Sequence, residues 1–307
     1  MLYRLLIHPI SLLPFWVLNG LAGFFYFLLR YVTRYRYSVM ESNLKRAFPD
    51  KDEVWRKDII SKNYRHLSRL FVEGIKNLSI SRKSLLKRMT LQNPELFQSL
   101  FEQGKSIVLA SSHFENWEYF ITAQSLLLPH TAFGIGKKIQ SGNLDAQINQ
   151  RRERFEMHVV DNSNYRIELE KSMKEKPLAI LTLSDQSPAP DNAYWHVFLG
   201  ILTPFAFGPE YMAHRYDMAV VYLDIQSAEK GHYHAVGKLL FENVKGLKFG
   251  AITEAIIHEQ EKQILRKPEA WLWTHKRWKL APPVDVNAWM TQQKITFDNK
   301  FFSNSTD

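Results

Sequence analysis

The sequence predicts an α/β protein in which helices flank a mixed central sheet and an apolar helix precedes it. First, four short apolar runs have the length and composition of buried strands: Ile107–Ala110, Ala132–Gly136, Pro177–Ser184 and Met218–Ile225. Second, segments with helical spacing of apolar residues lie between and around these runs. Third, a long apolar stretch near the N-terminus, Leu5–Leu29, supplies the preceding helix.

The composition indicates a folded, basic protein. Of the 307 residues, 45% are hydrophobic, which is enough for a substantial core and excludes a disordered chain. The formal net charge of +9 suits an anionic partner. Because the sequence carries no nucleic-acid-binding motif, we expect a membrane surface or an acidic carrier, and no nucleic acid. The lack of cysteine excludes disulfides, thiolate catalysis and cysteine-ligated zinc.

The apolar stretch Leu5–Leu29 predicts a membrane anchor. It is longer than the core of a signal peptide, and the aromatic run Phe24–Phe27 is a poor neighbourhood for signal-peptide cleavage. As a helix it is long enough to cross the hydrocarbon core of a bilayer. Pro14 and Gly20 leave open a kinked, half-inserted helix, and a buried core helix is the remaining alternative. By the positive-inside rule, the arginines that follow place the rest of the chain in the cytoplasm; these are Arg30, Arg34 and Arg36.

Helical patterns fill the region between this anchor and the first strand. Apolar residues at helical spacing predict one helix over Val39–Phe48, ended by Pro49, and a second over Glu53–Asn77. A further helical region, Ser81–Leu100, leads into the strand at Ile107.

The segment Lys105–Tyr119, KSIVLASSHFENWEY, places a histidine where a strand gives way to a helix. In open α/β sheets, sites are built at this carboxyl edge. If Glu118 lies in the first helical turn, it can accept a hydrogen bond from one imidazole nitrogen of His113 and leave the other free to take a proton. We therefore predict that His113 is a general base oriented by Glu118. Glu115 is the rival carboxylate, and a core histidine without a chemical role is the alternative.

A second strand delivers polar residues to the same edge. Pro177–Ser184 ends directly in Asp185 and Gln186, so His113 and Asp185 are predicted to converge. The alternative is that Asp185 only caps a turn. Asn116 is a candidate hydrogen-bond donor to a developing oxyanion, together with backbone N–H groups at the start of the following helix.

A cluster of arginines lies on a predicted helix over Leu144–Met157. The bidentate fork of arginine suits a phosphate or an acidic carrier, and a solvated basic surface is the alternative. The cluster comprises Arg151, Arg152 and Arg154.

The C-terminal part begins with an amphipathic helix over Phe249–Leu265. A tryptophan-rich segment, Trp271–Lys279, follows, and its mixture of indoles and cations fits a membrane interface or an acidic headgroup. The polar segment Val284–Asp307 predicts a peripheral helix or a tail. His232 and His234 share a strand face, but no third ligand is spaced to complete a metal set, so no metal site is predicted.

Four segments, in order, resemble blocks of the bacterial lipid A biosynthesis acyltransferases, to which the phosphatidylinositol mannoside acyltransferases are similar. SSHFENWE, at Ser111–Glu118, resembles the His-x4-Glu motif of that family. The other segments are VMESNLKRAFPD (Val39–Asp50), LSDQSPAP (Leu183–Pro190) and AWLWTHKRWK (Ala270–Lys279). The resemblance implies a glycerolipid-acyltransferase-like fold, with a membrane anchor over residues 1–36, an acyltransferase domain over 37–285 and a polar tail over 286–307.

The resemblance also assigns roles to single residues. It implies that His113 and Glu118 are catalytic and that Asp185 and Gln186 belong to the active site. The family carries a functional arginine in the region of the arginine cluster, which we assign to Arg154 as a substrate-binding residue. Asn116, Asp185 and Gln186 complete the predicted substrate-binding set.

The activity implied by the resemblance is transfer of an acyl chain from a thioester to a lipid hydroxyl, at the cytoplasmic face of the inner membrane. Acyl carrier protein is the expected donor, and a coenzyme A thioester is the alternative. No metal or other cofactor is needed, because the thioester is already activated. The family's usual acceptor is a lipid A precursor, but an ornithine- or glycine-type lyso-lipid or another glycolipid presents a hydroxyl equally well. An anionic membrane surface is a further expected partner.

Two other classes of function stay open at the level of sequence. A lipid hydrolase would use His113 to activate water or Ser112, although the sequence has no Gly-x-Ser-x-Gly motif. A noncatalytic membrane-associated module would need only the basic and tryptophan-rich segments. It would keep its function in a His113→Ala variant.

Overall fold

A computed structural model describes residues 7–136, 149–161, 165–229 and 231–302 of the chain. It confirms the α/β class: a mixed central sheet is flanked by helices. The described strands are β1 (Met89–Leu91), β2 (Ile107–Ser111), β3 (Thr131–Gly136), β4 (His158–Asp161), β5 (Leu178–Leu183), β6 (Ala193–Phe198), β7 (Ile201–Ala206), β8 (Ala219–Ser227) and β9 (Tyr233–Phe241).

The central sheet has the strand order β1-β9-β8-β2-β5-β3-β4. Its neighbouring strands are parallel except for the antiparallel pair of β8 and β9. All four apolar runs that predicted buried strands form strands of this sheet. β2 is buried along its whole length, because it lies between two neighbours and is covered by helices on both faces.

The described helices are α1 (His8–Leu12), α2 (Phe15–Phe27), α3 (Tyr37–Ala47), α4 (Glu53–Lys76), α5 (Arg82–Arg88), α6 (Pro94–Glu102), α7 (Trp117–Leu127), α8 (Tyr165–Ser172), α9 (Gly208–Tyr216), α10 (Ala251–Arg266) and α11 (Val286–Phe301). The predicted arginine-bearing helix begins outside the described residues. Residues 149–152 are helical and lead into a 3-10 turn, Glu153–Phe155.

Two apolar cores cover the faces of the sheet. Side chains of α5, α6 and α7 pack on one face, where Leu109 and Leu181 point, and α8, α9 and α10 cover the other, where Val108 and Ile180 point. A third cluster joins α3 and α4 to the β6–β7 hairpin and to the segment after α10, around Trp271. The carboxyl ends of β2 and β5 open beside this third cluster.

The N-terminal helix lies against the body of the protein. After α2 the chain continues as a π-helical turn, Leu28–Val32, and Phe15–Val32 is apolar and long enough to span a bilayer, with a mean hydropathy of 1.3. It packs along α4: Phe25 stacks edge-on against Phe71, at 4.6 Å between ring centroids, and Tyr26 Oη lies 3.2 Å from Ser61 Oγ. Only 6% of this segment is buried, so its outer face stays apolar and exposed.

Polar contacts from α10 and α4 fix the loops that carry the site. Gln260 donates to the Ser111 carbonyl at 3.2 Å and to Ser184 Oγ at 3.1 Å, which ties the ends of β2 and β5 to one helix. On the other side, Asn63 of α4 donates to the carbonyl oxygens of Glu269 and Trp271, each at 2.8 Å. The loops at the sheet edge are therefore held from both sides.

The tryptophan-rich segment is part of the core, and the prediction that it faces a membrane interface is wrong for its central residues. Trp271, Trp273 and Arg277 are at most 2% exposed. The Arg277 guanidinium donates to the Pro204 carbonyl at 2.7 Å and stacks on the Phe205 ring, and burial lowers its pKa to about 10. The indoles of this segment fill the third core cluster instead of meeting lipid.

Four short strands were missed from the sequence: β1, β4, β6 and β7. β1 and β4 have three and four residues, too few for their alternation to stand out. β6 and β7 form a hairpin, closed by Leu199 and Gly200 in left-handed conformations. The segment after residue 285 forms α11, which packs on the body through Phe297.

Candidate active site

The register of the sheet brings His113 and Asp185 together. β2 and β5 are parallel neighbours, and their last paired residues are Ser111 and Leu183. His113 and Asp185 each follow two positions later, so they leave the sheet at the same edge and at the same height. The convergence predicted from the two strand ends is confirmed.

Asp185 is the carboxylate that holds the His113 imidazole. Its Oδ1 lies 2.7 Å from Nδ1 of His113, and its Oδ2 accepts from the His113 backbone N–H at 3.0 Å and from the Trp271 indole N–H at 2.8 Å. The Asp185 side chain is 2% exposed, and each oxygen has a protein donor. It therefore does more than cap a turn: it fixes the ring of His113.

The charge state of Asp185 follows from these contacts. Burial alone raises the pKa of the carboxyl group, but the charge of His113 and the hydrogen bonds from His113 and Trp271 outweigh it, so the pKa lies below its ordinary value. Asp185 is thus an ionised acceptor at neutral pH. Because a carboxylate can only accept, the proton of a neutral imidazole sits on Nδ1.

Gln186 contacts the opposite ring nitrogen of His113. Its side-chain nitrogen lies 3.1 Å from Nε2. With the imidazole proton on Nδ1, Nε2 carries the lone pair and accepts from the amide. His113 is partly exposed, and Nε2 is the basic atom that the ring presents.

Glu118 does not hold the imidazole, contrary to the prediction from its spacing. One of its oxygens pairs with Arg151, and the other lies 2.5 Å from a guanidinium nitrogen of Arg152. Burial raises the pKa of Glu118, but the charges of Arg151 and Arg152 lower it by a larger amount, so the pKa lies below its ordinary value. The physical reason is long-range: Glu118 lies in the first turn of α7, and its side chain points to Arg151 and Arg152 instead of back to the loop.

Asn116 and Glu115 have structural contacts in this loop. The Asn116 amide donates to Glu73 Oε2 at 2.6 Å, and its Oδ1 accepts from the Tyr119 backbone N–H, which makes it the N-cap of α7. Glu115, the rival carboxylate of the sequence analysis, is buried and paired with Lys267 at 2.5 Å. Neither side chain reaches the imidazole of His113 in this arrangement.

A cavity of about 380 Å³ opens at His113. In the part of the chain that the structure describes, its polar lining consists of His113, Gln186 and Arg152, and the remaining lining is apolar: Ile121, Gly134, Ile135, Met157, Val159, Leu181 and Leu183. Among the described residues, no group of three or more histidine, aspartate or glutamate side chains is placed to hold a metal ion. The chemistry that the site offers is a basic nitrogen and a cation beside an apolar cleft.

A glycine, Gly134, leaves space at the floor of the cleft. Leu181 of β5, Gly134 of β3 and Val159 of β4 form one row across three neighbouring strands. Because the middle position has no side chain, the row is open at its centre. A Cβ atom built on Gly134 would lie 2.6 Å from Cε of Met157, so the space above the glycine is bounded by that methionine.

Comparison with protein families identifies the chain. The sequence model of the bacterial lipid A biosynthesis acyltransferases matches residues 1–280. The chain belongs to this family. It is therefore an acyltransferase whose acceptor is a lipid, as the four resembling blocks indicated. A search of curated protein sequences found no match.

The family's motif residues stand in two groups in this acyltransferase. His113, Asp185 and Gln186 form one hydrogen-bonded set, and Glu118 forms a second set with Arg151 and Arg152. Arg152 is shared by the cavity and the second set. The two groups meet at the cavity mouth.

Arg154, the arginine chosen from the sequence, is not among the residues that line the cavity. Its guanidinium donates to the carbonyl oxygens of Asn77 and Leu78, at 3.2 and 3.0 Å. Arg152 was in the same predicted cluster, but helical spacing gave no reason to prefer it. Trp271 was also missed as a site residue, because an indole that donates to Asp185 looks, in sequence, like one that faces a membrane.

Proposed function

We propose that this acyltransferase is a membrane-associated O-acyltransferase that moves a fatty acyl chain from an acyl carrier protein thioester to a hydroxyl of a lipid A precursor. The observation that carries the proposal is the Asp185–His113 pair at the mouth of an apolar cavity, in a chain of the lipid A acyltransferase family. The apolar cleft has the lining that an acyl chain needs, and the imidazole is the group that a hydroxyl nucleophile needs.

In this proposal His113 is the general base. Its Nε2 removes the proton of the acceptor hydroxyl while the hydroxyl oxygen attacks the thioester carbonyl carbon. The tetrahedral intermediate then collapses, the carbon–sulfur bond breaks, and the departing sulfur takes the proton from the imidazolium. Asp185 holds Nδ1–H and stabilises the imidazolium between these two steps, as the carboxylate of a Ser-His-Asp triad does.

The oxyanion of the intermediate needs a hydrogen-bond donor. The backbone N–H groups of Phe114 and Glu115 already donate to the carbonyl oxygens of Ser112 and Ala270, so they do not fill this role. The amide of Gln186 lies beside Nε2, where the reacting carbonyl must also lie. The Gln186 amide carries two N–H groups, so we assign oxyanion donation to the one that does not face Nε2, and to Arg152 the attraction of an anionic part of either substrate.

Glu118 is assigned a positioning role in place of the direct role given to it by sequence spacing. It neutralises part of the charge on Arg151 and Arg152 and fixes the orientation of both. The catalytic role predicted for it therefore becomes an indirect one, through Arg152 at the cavity mouth.

Membrane attachment through the N-terminal helix is part of the proposal. The 18-residue apolar segment Phe15–Val32 corresponds to about 27 Å of helix, close to the thickness of a hydrocarbon core. The arginines at and beyond its end, which are Arg30, Arg34 and Arg36, favour a cytoplasmic position for the rest of the chain, at the inner membrane. The net charge of +9 suits both an anionic membrane face and an acidic carrier protein.

The first test compares membranes that contain the wild type or His113→Ala, supplied with labelled acyl carrier protein thioester. A lipid A precursor and a lyso-aminolipid are offered separately, with a control without acceptor. Label that moves to the lipid A precursor only with wild type supports the proposal. Transfer to the aminolipid alone overturns the acceptor class, and equal transfer by both proteins removes His113 from the mechanism. Free fatty acid without acceptor, lost in His113→Ala and with no transfer, indicates a hydrolase instead.

A further inference from the structure

A second cavity, of about 330 Å³, lies where the N-terminal helix ends. Three cationic side chains converge on it, and tyrosine rings form most of its remaining wall. Its lining consists of Arg30, Arg34, Lys57, Tyr31, Tyr37, Ile60 and Tyr64. No residue is shared between this lining and that of the cavity at His113.

The cavity carries an excess of positive charge. Lys57 forms an ion pair with Glu53 at 2.5 Å, so the charge of one of the three cations is neutralised. Arg30 donates to Tyr26 Oη at 2.7 Å and stacks on Tyr31, and Arg34 stacks on Tyr37. Neither guanidinium has a carboxylate partner among the described residues. Both are oriented by aromatic rings, and their charge is left for another partner.

The chain around the cavity is fixed by the fold. The Tyr35 carbonyl accepts from Tyr64 Oη of α4 at 3.0 Å, and Arg36 donates to the Thr274 carbonyl at 3.0 Å. Arg34 and Arg36 both have left-handed backbone conformations, with φ of 47° and 52°, which residues other than glycine adopt only where the surroundings require it. The arginines therefore lie on a turn that hydrogen bonds fix to the rest of the fold.

The position of the cavity indicates where its ligand comes from. The helix that ends beside it exposes large apolar side chains: Trp16 (76%), Phe24 (60%), Phe27 (55%) and Tyr31 (58%). Aromatic residues followed by arginines mark the level of the headgroups where an apolar helix meets a bilayer. The cavity therefore lies at the depth at which lipid phosphates occur.

We propose that this cavity binds the phosphate of an anionic phospholipid headgroup, with Arg30 and Arg34 as its donors. A guanidinium pairs with phosphate through two parallel hydrogen bonds, and the tyrosine walls suit the glycerol and the upper acyl carbons beside it. The separation from the cavity at His113 favours a bilayer lipid over the acceptor that is acylated. The inference rests on the membrane attachment proposed above. It adds a defined lipid site to that attachment.

The test measures sedimentation of the full chain with sucrose-loaded vesicles. Vesicles of phosphatidylcholine alone are compared with vesicles that also contain phosphatidylglycerol. The variants are Arg30→Gln/Arg34→Gln, Arg34→Gln alone, and Lys171→Gln/Lys174→Gln. The lysine variant is a control with the same change in charge, on exposed lysines at the end of α8 and in the turn after it. We expect the first double variant to lose about tenfold or more of the preference for phosphatidylglycerol, and the control to keep it.

The outcomes separate this inference from the attachment on which it rests. If the wild type sediments with neither kind of vesicle, the membrane attachment itself is wrong. If it sediments and the arginine and lysine variants lose preference equally, only diffuse charge matters and the lipid site is overturned. Unchanged vesicle binding with a raised KM for a phosphorylated acceptor, in Arg30→Gln/Arg34→Gln, overturns the phospholipid assignment in favour of the acceptor.

Two further measurements test whether each variant folds and whether the ligand is a soluble anion. The melting temperature of each variant checks that it folds. Arg34→Gln serves if the double variant does not fold, because Arg34 is exposed and its guanidinium stacks on Tyr37. Calorimetric titration with inorganic phosphate, without vesicles, tests a soluble anion. Tight phosphate binding that Arg34→Gln removes, with vesicle preference intact, overturns the assignment to a lipid.

Discussion

Oδ1 of Asp185 lies 2.7 Å from Nδ1 of His113, although 72 positions separate the two residues in the chain. Glu118 is only five positions from His113 and pairs with Arg151 and Arg152. The sheet edge, and not the helix that follows the histidine, therefore supplies the carboxylate of the pair. This division of roles makes the two acidic residues separable by mutation.

Asp185→Asn should lower kcat by about a hundredfold or more, because the amide keeps the shape of the side chain but neither stabilises an imidazolium nor selects the Nδ1–H form. Steady-state kinetics, with Asp58→Asn on the exposed face of α4 as the control, measure this effect. A kcat within a factor of about three of wild type would remove Asp185 from the mechanism.

Glu118→Gln should act mainly on substrate binding. Without its carboxylate, Arg151 and Arg152 repel each other and Arg152 loses its fixed orientation at the cavity mouth, so we expect KM to rise about tenfold, with a smaller change in kcat. A loss of kcat as large as that of Asp185→Asn, with KM unchanged, would mean that Glu118 acts on His113 directly, as its spacing predicted.

The sequence was sufficient where the signal was local or periodic. The apolar runs gave β2 and β5, and polar residues after each run gave the convergence of His113 and Asp185. It could not choose between Asp185 and Glu118, because the direction of a side chain in the first turn of α7 depends on arginines more than thirty positions away.

The tryptophan-rich segment shows the same limit for burial. Indoles and cations in one segment have the composition of a membrane interface, yet Trp271 and Arg277 are enclosed by the β6–β7 hairpin and by helices from the N-terminal half. The segment is held in this position by long-range hydrogen bonds from the side-chain amides of Asn43 and Asn63 to backbone carbonyl oxygens of residues 269–275. That pairing has no signature in the segment itself.

Stability should fall as the pH is lowered below about 6.5, in part through His66. Burial, and then the nearby charges of Arg69 and Lys267, lower its pKa from 6.5 to about 3. Although its Nδ1 lies 3.9 Å from Glu115, Lys267 already pairs with that carboxylate, so His66 stays neutral at pH 7. Because the folded pKa lies below the unfolded one, unfolding takes up a proton, and the stabilisation present above pH 6.5 is lost as the pH falls towards 3.

From pH 7.5 to pH 5 this single group should cost about 2 kcal/mol of the free energy of unfolding. Urea unfolding at several pH values, for wild type and His66→Gln, isolates the contribution as the difference in slope. If the free energy of unfolding depends on pH equally in wild type and His66→Gln, then His66 has the same pKa in the folded and unfolded states.

The choice of acyl chain should depend on Gly134. A Cβ at this position meets Met157 Cε at 2.6 Å, so Gly134→Ala pushes the methionine into the cleft, and Gly134→Val fills its floor as well. If the acyl chain lies in this cleft, both variants shift transfer towards shorter chains, by about tenfold for each methylene that no longer fits. Met157→Ala should shift it towards longer chains, because it removes the side chain that bounds the space.

Each variant is given a mixture of acyl carrier protein thioesters of different chain length, which compete for transfer. The distribution of products measures the chain-length preference, whatever total rate the variant retains. Gly208→Ala is the control, since a Cβ there meets nothing within 4 Å. A uniform loss of rate without a change in product distribution would mean that Gly134 supports folding of the sheet and that the acyl chain lies elsewhere. Opposite shifts for Gly134→Ala and Met157→Ala would be hard to produce by any general damage to the protein. They would place the chain end between these two residues.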